Sequence, residues 1–324
     1  MSAWTLCSCL ATQIQNLIIL RRLSGTTYRS QAQLLGYFDR FLVGQKLAEP
    51  CLTRELTDAY QQSLLHLRPR VQYNRFCVVR QLAEYLARAD PCSYVPEALK
   101  LIRPEMAHAP YIYSSAELQA LLAAAEKLPP VGSLRSDTYR TLFGLLYSTG
   151  IRIGEALALN LQNFHDADQR IYIAEGKFRK ARWVPVSAST CRVLQQYIAR
   201  RLRFSPRSSD APLFINQRAC RLHHVMVHQV FRRLLSQAGI AHHQRTGPRI
   251  HDLRHTFAVH RLLAWYRDGQ DVNARLPWLA TYMGHVNILS TQVYLHATPA
   301  LIEQVDHRFH HHYLTHIQPN GERQ

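Results

Sequence analysis

From residue 152 onward, the sequence carries two arginines, two histidines, a lysine and a tyrosine whose chemistry suits a phosphate group. In chain order they are Arg152, Lys177, His251, Arg254, His285 and Tyr294. A guanidinium fork binds two phosphate oxygens at once, histidine and lysine side chains transfer protons, and a tyrosine hydroxyl can act as a nucleophile. Such a set could break and rejoin a phosphodiester without a metal ion or ATP.

Two short sequence strings place Arg152, His251 and Arg254 relative to predicted helices. Arg152 follows Gly150 in T-G-I-R-I-G-E, where the glycine ends one predicted helix and the arginine lies on the turn into the next. His251 and Arg254 stand three residues apart in H-D-L-R-H-T-F, hence on one helix face. Zinc binding by His251 and His255 is an alternative, but no H-E-x-x-H motif is present and no cysteine or acid is spaced as a further ligand.

The composition favours a polyanionic partner. Lysine and arginine total 39 against 22 acidic residues, which gives a net charge of +17 over 324 residues. Cations that neutralise phosphates release counterions, so this surplus predicts a nucleic acid as the partner. Seven scattered cysteines without a C-x-x-C pair predict a reduced, cytoplasmic protein, and no apolar run approaches 18 residues. Residues 1–20 do not fit a secretory signal, because no basic residue precedes their apolar run.

The strings T-G-I-R-I-G-E, H-D-L-R-H-T-F, M-G-H and S-T-Q-V-Y-L-H resemble the active-site boxes of the tyrosine recombinases, the family of phage integrases and Xer-type recombinases. The resemblance implies that Arg152 contacts the scissile phosphate, supported by Glu155, and that Arg254 supplies the second guanidinium. It also implies that Tyr294, nine residues after His285, attacks phosphorus. A tyrosine has a pKa near ~10 in water, so neighbouring cations must help it lose its proton.

The same resemblance assigns the remaining roles. His251 would be a general acid or base, His285 a hydrogen-bond donor to the phosphate, and His255 structural. Lys177 resembles the β-hairpin lysine that protonates the departing 5′ oxygen. Phe178 replaces the second glycine of the common G-K-G-x-K turn, and Lys180 is the alternative acid.

Regular elements must position these side chains. Residues 170–174 and 182–186 alternate and are rich in β-formers, which predicts a hairpin around the basic turn E-G-K-F-R-K. Later helices are predicted over 188–203, 224–238, 252–266, 276–283 and 288–295. The predicted fold is mainly α with a small antiparallel β-sheet in the catalytic domain, and the resemblance implies a two-domain, C-shaped DNA clamp.

Five segments are predicted along the chain. They are an N-terminal arm or helix (1–26), a helical core-binding domain (27–103), a linker (104–113), a catalytic domain (114–305) and a histidine-rich tail (306–324). Apolar stripes at helical spacing near 34–42 and 76–86 predict core faces in the second segment. Arg75, Arg80 and Arg88 lie off the second stripe, either facing DNA or solvated. The tail suits a docking helix, a DNA contact or a metal binder, and no function is assigned to it.

The resemblance implies double-stranded DNA with specific recombination sites as substrate, a homo- or hetero-tetramer on two duplexes, no cofactor, and a cytoplasmic, nucleoid-associated prokaryotic protein. A type IB topoisomerase, which rejoins the same strand, and a DNA-binding regulator without chemistry are the competing hypotheses. Integrase, dimer resolvase and transposition-set member all stay open. The strings K-F-R-K-A-R-W-V-P-V and L-P-W-L-A-T-Y-M-G-H favour a mobile-element integrase.

Overall fold

The computed structural model describes residues 5–45, 47, 49–98, 110–174, 181–204, 208–242, 247–285, 287 and 289–292. The chain divides into two compact units, Met1–His108 and Ala109–Gln324. Lys177, Lys180, Tyr294, the histidine-rich tail and most of the predicted linker lie outside the described residues.

The first unit is helical. Its helices are α1 (Ala11–Leu23), α2 (Arg29–Gly44), α3 (Arg54–Ser63) and α4 (Pro69–Leu86). Leu10, Ile14 and Leu17 are buried in the same core as the inner faces of α2 and α4. The segment before α1 is held by Asp39, a buried carboxylate that accepts hydrogen bonds from the backbone of Cys7 and Ser8. Residues 11–23 therefore form a helix that packs into this unit.

The arginines of α4 make contacts with their own unit. The Arg75 guanidinium lies 4.4 Å from the ring centroid of Tyr37, and Arg80 pairs with Glu84 at 3.2 Å. Both guanidinium groups therefore contact side chains of their own unit. The DNA-facing role of these arginines stays a prediction.

The second unit combines helices with a small sheet. Its helices are α5 (Ser115–Glu126), α6 (Leu134–Thr149), α7 (Ile153–Ala158), α8 (Ala188–Arg201), α9 (His224–Gln237), α10 (Ile250–Arg267), α11 (Val272–Met283) and α12 (Leu289–Gln292). α5 begins with a capping box in which Ser114 and Glu117 satisfy each other's backbone N–H groups. Helix α6 ends at Gly150, whose φ of +63° is left-handed.

The predicted hairpin is confirmed as part of a three-stranded antiparallel sheet. The strands are β1 (Phe164–His165), β2 (Arg170–Ile173) and β3 (Arg182–Pro185), in the order β1-β2-β3. Ile171 opposes Val184 across β2 and β3, and both are fully buried. The two-residue strand β1 was not predicted, because so short a segment has no readable alternation. The fold is thus mainly α with a small antiparallel sheet, as predicted.

Helix α11 begins earlier than the sequence predicts. Its expected start was residue 276, but it begins at Val272 because Asp271 Oδ1 accepts hydrogen bonds from the N–H groups of Asn273 and Ala274. Pro277 lies inside the helix, where it removes only one backbone donor. The helix ends at Gly284 with φ +68°, as predicted. Within the described residues, no helix has the length and hydropathy needed to cross a membrane.

Candidate active site

Arg152 stands between two helices that fix its backbone. Gly150 reverses the chain after α6, and Arg152 is the residue that precedes α7. Its backbone N–H donates to Glu155 Oε2 at 3.0 Å, and its Nη1 donates to Glu155 Oε1 at 2.8 Å. Nη2 donates to the carbonyl of Gly284 at 3.0 Å. The guanidinium is therefore oriented from two sides, while 22% of the side chain stays exposed.

Glu155 is a buried carboxylate shared by two arginines. Only 4% of its side chain is exposed, and Arg182 donates to both of its oxygens, at 3.1 and 2.8 Å. Burial acts to raise the pKa of Glu155, but the hydrogen bonds from Arg182 and from Arg152 outweigh it and lower that pKa to about 2. Glu155 therefore remains ionised and holds two cations at neutral pH.

Arg182 is a residue of this site that the sequence analysis missed. Its Nε donates to the carbonyl of Tyr282 at 3.0 Å, so its guanidinium bridges α7 and the end of α11. A signal was present, because Arg182 and the buried Val184 are two residues apart in β3 and so share a face of the strand. A charged residue on the buried face of a strand requires a partner inside the protein.

Arg254 is the most buried cation of the site, at 2% exposure. Its Nη1 donates to the carbonyl of Gly150 at 2.5 Å, and its Nη2 donates to the carbonyl of Met283 at 2.8 Å. The same Nη2 lies 2.7 Å from His285 Nε2. Its planar fork is thus fixed by the ends of α6 and α11.

Three successive carbonyls at the end of α11 each hold a different arginine. The carbonyls of Tyr282, Met283 and Gly284 accept from Arg182, Arg254 and Arg152, respectively. The last carbonyls of a helix lack intrahelical donors and carry its partial negative charge. The C-terminus of α11 therefore gathers three guanidinium groups in one place.

His285 continues the chain directly after this carbonyl array. Its Nδ1 lies 2.7 Å from Oγ1 of Thr291, a fully buried residue of α12 that the sequence analysis did not single out. Burial, followed by the charges of Arg254 and Arg152, lowers the pKa of His285 to about 4. The imidazole is therefore neutral at neutral pH.

His251 lies at the start of α10, beside His255. Their ring centroids are 4.8 Å apart. Desolvation and the charge of Arg254 lower the pKa of His251, and burial followed by the charge of His251 lowers the pKa of His255 to about 4. Within the parts of the chain that the structure describes, no three His, Cys, Asp or Glu side chains are grouped as metal ligands.

The structure brings four of the six predicted residues into one neighbourhood. Arg152 and Arg254 hold adjacent carbonyls, His285 contacts Arg254, and the charges of both arginines act on His251. Lys177 and Tyr294 lie outside the described residues, the first between β2 and β3 and the second just after α12. The site therefore presents oriented cations and neutral imidazoles, which suits an anionic phosphate and the proton transfers around it.

Comparisons with known proteins agree with this chemistry. Residues 113–300 match the model of the phage integrase family. A candidate integrase/recombinase of Sinorhizobium fredii, y4rB, is 38% identical over 302 residues, covering 91% of this chain and 95% of the relative. The Tn1549 transposon integrase, solved with transposon right end DNA, has a TM-score of 0.66 at 18% identity over 92% of this chain and 99% of that one. A lambda integrase tetramer bound to a Holliday junction has a TM-score of 0.58 at 12% identity, covering 88% and 76%.

Proposed function

Because the chain belongs to the phage integrase family, the tyrosine recombinases, which cut and rejoin DNA through a tyrosine intermediate, we propose that the six residues named above perform that reaction here. The enzyme is a site-specific DNA strand transferase. What we propose concerns its residues, its biological setting and its assembly.

Tyr294 is the proposed nucleophile. Its phenolic oxygen gives its proton to His251 and forms a bond to the scissile phosphorus while the bond to the 5′ oxygen breaks, which leaves a 3′-phosphotyrosine and a 5′-hydroxyl. Lys177 gives a proton to the departing oxygen, with Lys180 as the alternative. A 5′-hydroxyl from a partner duplex then attacks the phosphotyrosine and releases Tyr294. One phosphodiester replaces another, so no ATP is required.

The placement of Arg152 and Arg254 at the end of α11 is the observation that carries this proposal. Arg152 and Arg254 are locked onto adjacent carbonyls of one helix end, which fixes the distance between their guanidinium groups before any substrate binds. Preorganised donors of this kind stabilise the charge added to a five-coordinate phosphorus, and loss of one typically costs ~10²–10³ in rate. His251 serves as the proton-transfer group beside them, and its lowered pKa keeps it available as a base.

A mobile genetic element is the proposed setting. The y4rB relative is described as an integrase/recombinase, and the Tn1549 neighbour is a transposon integrase. We further propose a tetramer that joins two duplexes at specific sites, as the lambda integrase tetramer bound to a Holliday junction suggests by its similar fold. Because the substrate is genomic DNA, the proposed location is the prokaryotic cytoplasm, at the nucleoid.

A covalent-capture experiment tests the proposed residues. The duplex is selected by binding from a random-sequence pool, and a nick beside the cleavage position lets the short strand diffuse away. We expect wild type to form a denaturation-resistant adduct and Tyr294→Phe to form none while binding the same DNA. Tyr147→Phe is the matched control, because Tyr147 bonds to His260 at 3.1 Å outside the site, and its adduct yield should equal that of wild type.

The alternatives give different results in the same experiment. A regulator without chemistry would bind the selected DNA and give no adduct from any variant. A topoisomerase would give the adduct but, with two intact duplexes that carry the selected site, would rejoin each strand to its own duplex. Exchange of strands between the two intact duplexes is the outcome that the recombinase predicts.

A further inference from the structure

Arg182 occupies a place in the site that none of the six predicted residues fills. Its guanidinium forms a two-pronged ion pair with Glu155, at 3.1 and 2.8 Å, and donates its Nε to Tyr282 at 3.0 Å. All three of its nitrogens are thereby used, and 13% of its side chain is exposed. With its fork on Glu155 and its Nε on Tyr282, it is placed to act through these partners.

The electrostatics show what Arg182 supplies. Glu155 is shared by Arg152 and Arg182, so two positive charges and one negative charge leave one net positive charge at this group. Without Arg182, the buried carboxylate would neutralise Arg152 entirely. A phosphate would then meet a neutral ion pair in place of a cation.

We propose that Arg182 is a positioning residue. By neutralising the Glu155 carboxylate, it leaves the positive charge of Arg152 available to the scissile phosphate. The inference rests on the proposed function, because it assumes that Arg152 binds that phosphate. It adds to the six proposed residues a side chain that acts on the substrate through Glu155 and Arg152.

The same residue connects the predicted hairpin to the end of α11. Arg182 is the first residue of β3, pairs with Ile173 of β2, and follows Lys177 by five positions. A second contact joins the same elements, because the Tyr282 hydroxyl donates to the carbonyl of Pro185 at 3.0 Å. Gly284 makes room for Arg182, since a Cβ at that position would lie 2.9 Å from the guanidinium carbon. The base of the hairpin is thus held against α11, whose last carbonyls accept from the three arginines.

The test compares four proteins on the nicked duplex: wild type, Arg182→Gln, Glu155→Gln and the double variant. DNA affinity and the single-turnover rate of adduct formation are measured separately, and thermal unfolding reports whether each variant folds. We expect Arg182→Gln to slow adduct formation by roughly 10- to 100-fold, the range for outer partners that orient the ligands of a metal site. DNA affinity should change much less, because the charge beside one phosphate is a small part of the attraction of a whole duplex for the protein.

The double variant separates a charge effect from a structural one. Removing Glu155 together with Arg182 again leaves Arg152 with one net positive charge, so we expect the double variant to regain at least ~5-fold over Arg182→Gln. Arg182→Lys keeps the charge without the fork and should fall between wild type and Arg182→Gln. Arg140→Gln is the matched control, because it breaks an arginine–glutamate pair with Glu126 outside the site, and it should react like wild type.

Three results would overturn the inference while leaving the proposed function intact. They are an Arg182→Gln rate equal to that of wild type, a double variant slower than either single variant, and a rate loss matched by an equal loss of DNA affinity. Absence of an adduct from wild type would instead reject the proposed function, and this inference with it.

Discussion

His285 accepts a hydrogen bond from Arg254, across 2.7 Å between Nε2 and Nη2. A guanidinium only donates, so Nε2 carries no proton and the proton is on Nδ1. Nδ1 therefore donates to Thr291 Oγ1 at 2.7 Å. In this arrangement His285 supports Arg254, whereas donation to a phosphate, as the family resemblance implies, requires a proton on Nε2. That donor role stays a prediction.

The hydroxyl of Thr291 should matter to the reaction through its hydrogen bond to His285. Thr291→Val keeps the shape of this fully buried side chain but removes the acceptor of His285 Nδ1. A buried donor without a partner costs about 1–3 kcal/mol, so we expect a lower thermal midpoint and slower adduct formation. Thr291→Ser, which keeps the hydroxyl, is the control. Equal rates for the valine and serine variants would reject this hydrogen bond as a determinant.

The fork of Arg254 should be more important than its charge. Arg254→Lys retains one cation but cannot contact Gly150, Met283 and His285 together. We expect single-turnover adduct formation to fall by ~10²–10³ with DNA affinity largely kept. Arg261→Lys, at an exposed position of the same helix, should be unchanged. A lysine variant within a few-fold of wild type would show that charge alone suffices.

Gly284 offers a test of the space around Arg182. Both Gly284 and Gly269 have left-handed backbones, with φ of +68° and +69°, so alanine costs about 1–2 kcal/mol at either position. Only at Gly284 would the new Cβ meet another group, the Arg182 guanidinium at 2.9 Å; at Gly269 no atom lies within 4 Å. We therefore expect Gly269→Ala to lose only the backbone cost and to keep its rate, and Gly284→Ala to lose more stability and to form the adduct more slowly. Equal rates in the two variants would contradict the assigned role of this contact.

The pH dependence of stability should show how strongly the folded protein favours the ionised form of Glu155. Its pKa falls from an ordinary 4.5 to about 2 in the folded protein, so its contribution to stability is complete above about pH 4.5 and is lost as the pH falls toward 2. A shift of that size corresponds to about 3 kcal/mol. Urea unfolding, followed by tryptophan fluorescence, should show wild type losing its advantage over Glu155→Gln below pH 4.5. An advantage that stays constant with pH would show that Glu155 is not held in this way.

The sequence predicted the side chains of the candidate site better than it predicted the contacts that orient them. Arg152, Arg254 and His285 were predicted from short strings, and the glycines that end α6 and α11 were visible beside them. Arg182 was missed because its partners lie 27 and 100 residues away in sequence, and periodicity shows which face of a strand is buried but not what covers it.

The ends of helices were also harder to predict than their existence. The predicted range of α11, 276–283, leaves out its first turn, which Asp271 caps. For α12 the structure describes Leu289–Gln292 within the predicted 288–295. A single capping side chain determines such a boundary. Because that side chain is polar, the spacing of apolar residues does not show it.

The identity of the attacking residue is the central claim, and the chain offers sixteen tyrosines for it. The most direct measurement is to isolate the adduct on the nicked duplex, digest protein and DNA, and locate the tyrosine-linked nucleotide by mass spectrometry. We predict a single modified peptide that contains S-T-Q-V-Y-L-H, with the nucleotide on Tyr294 and linked through its 3′-phosphate. A modification on another tyrosine, or a 5′-phosphate linkage, would contradict the assignment of the nucleophile and of the cleavage polarity.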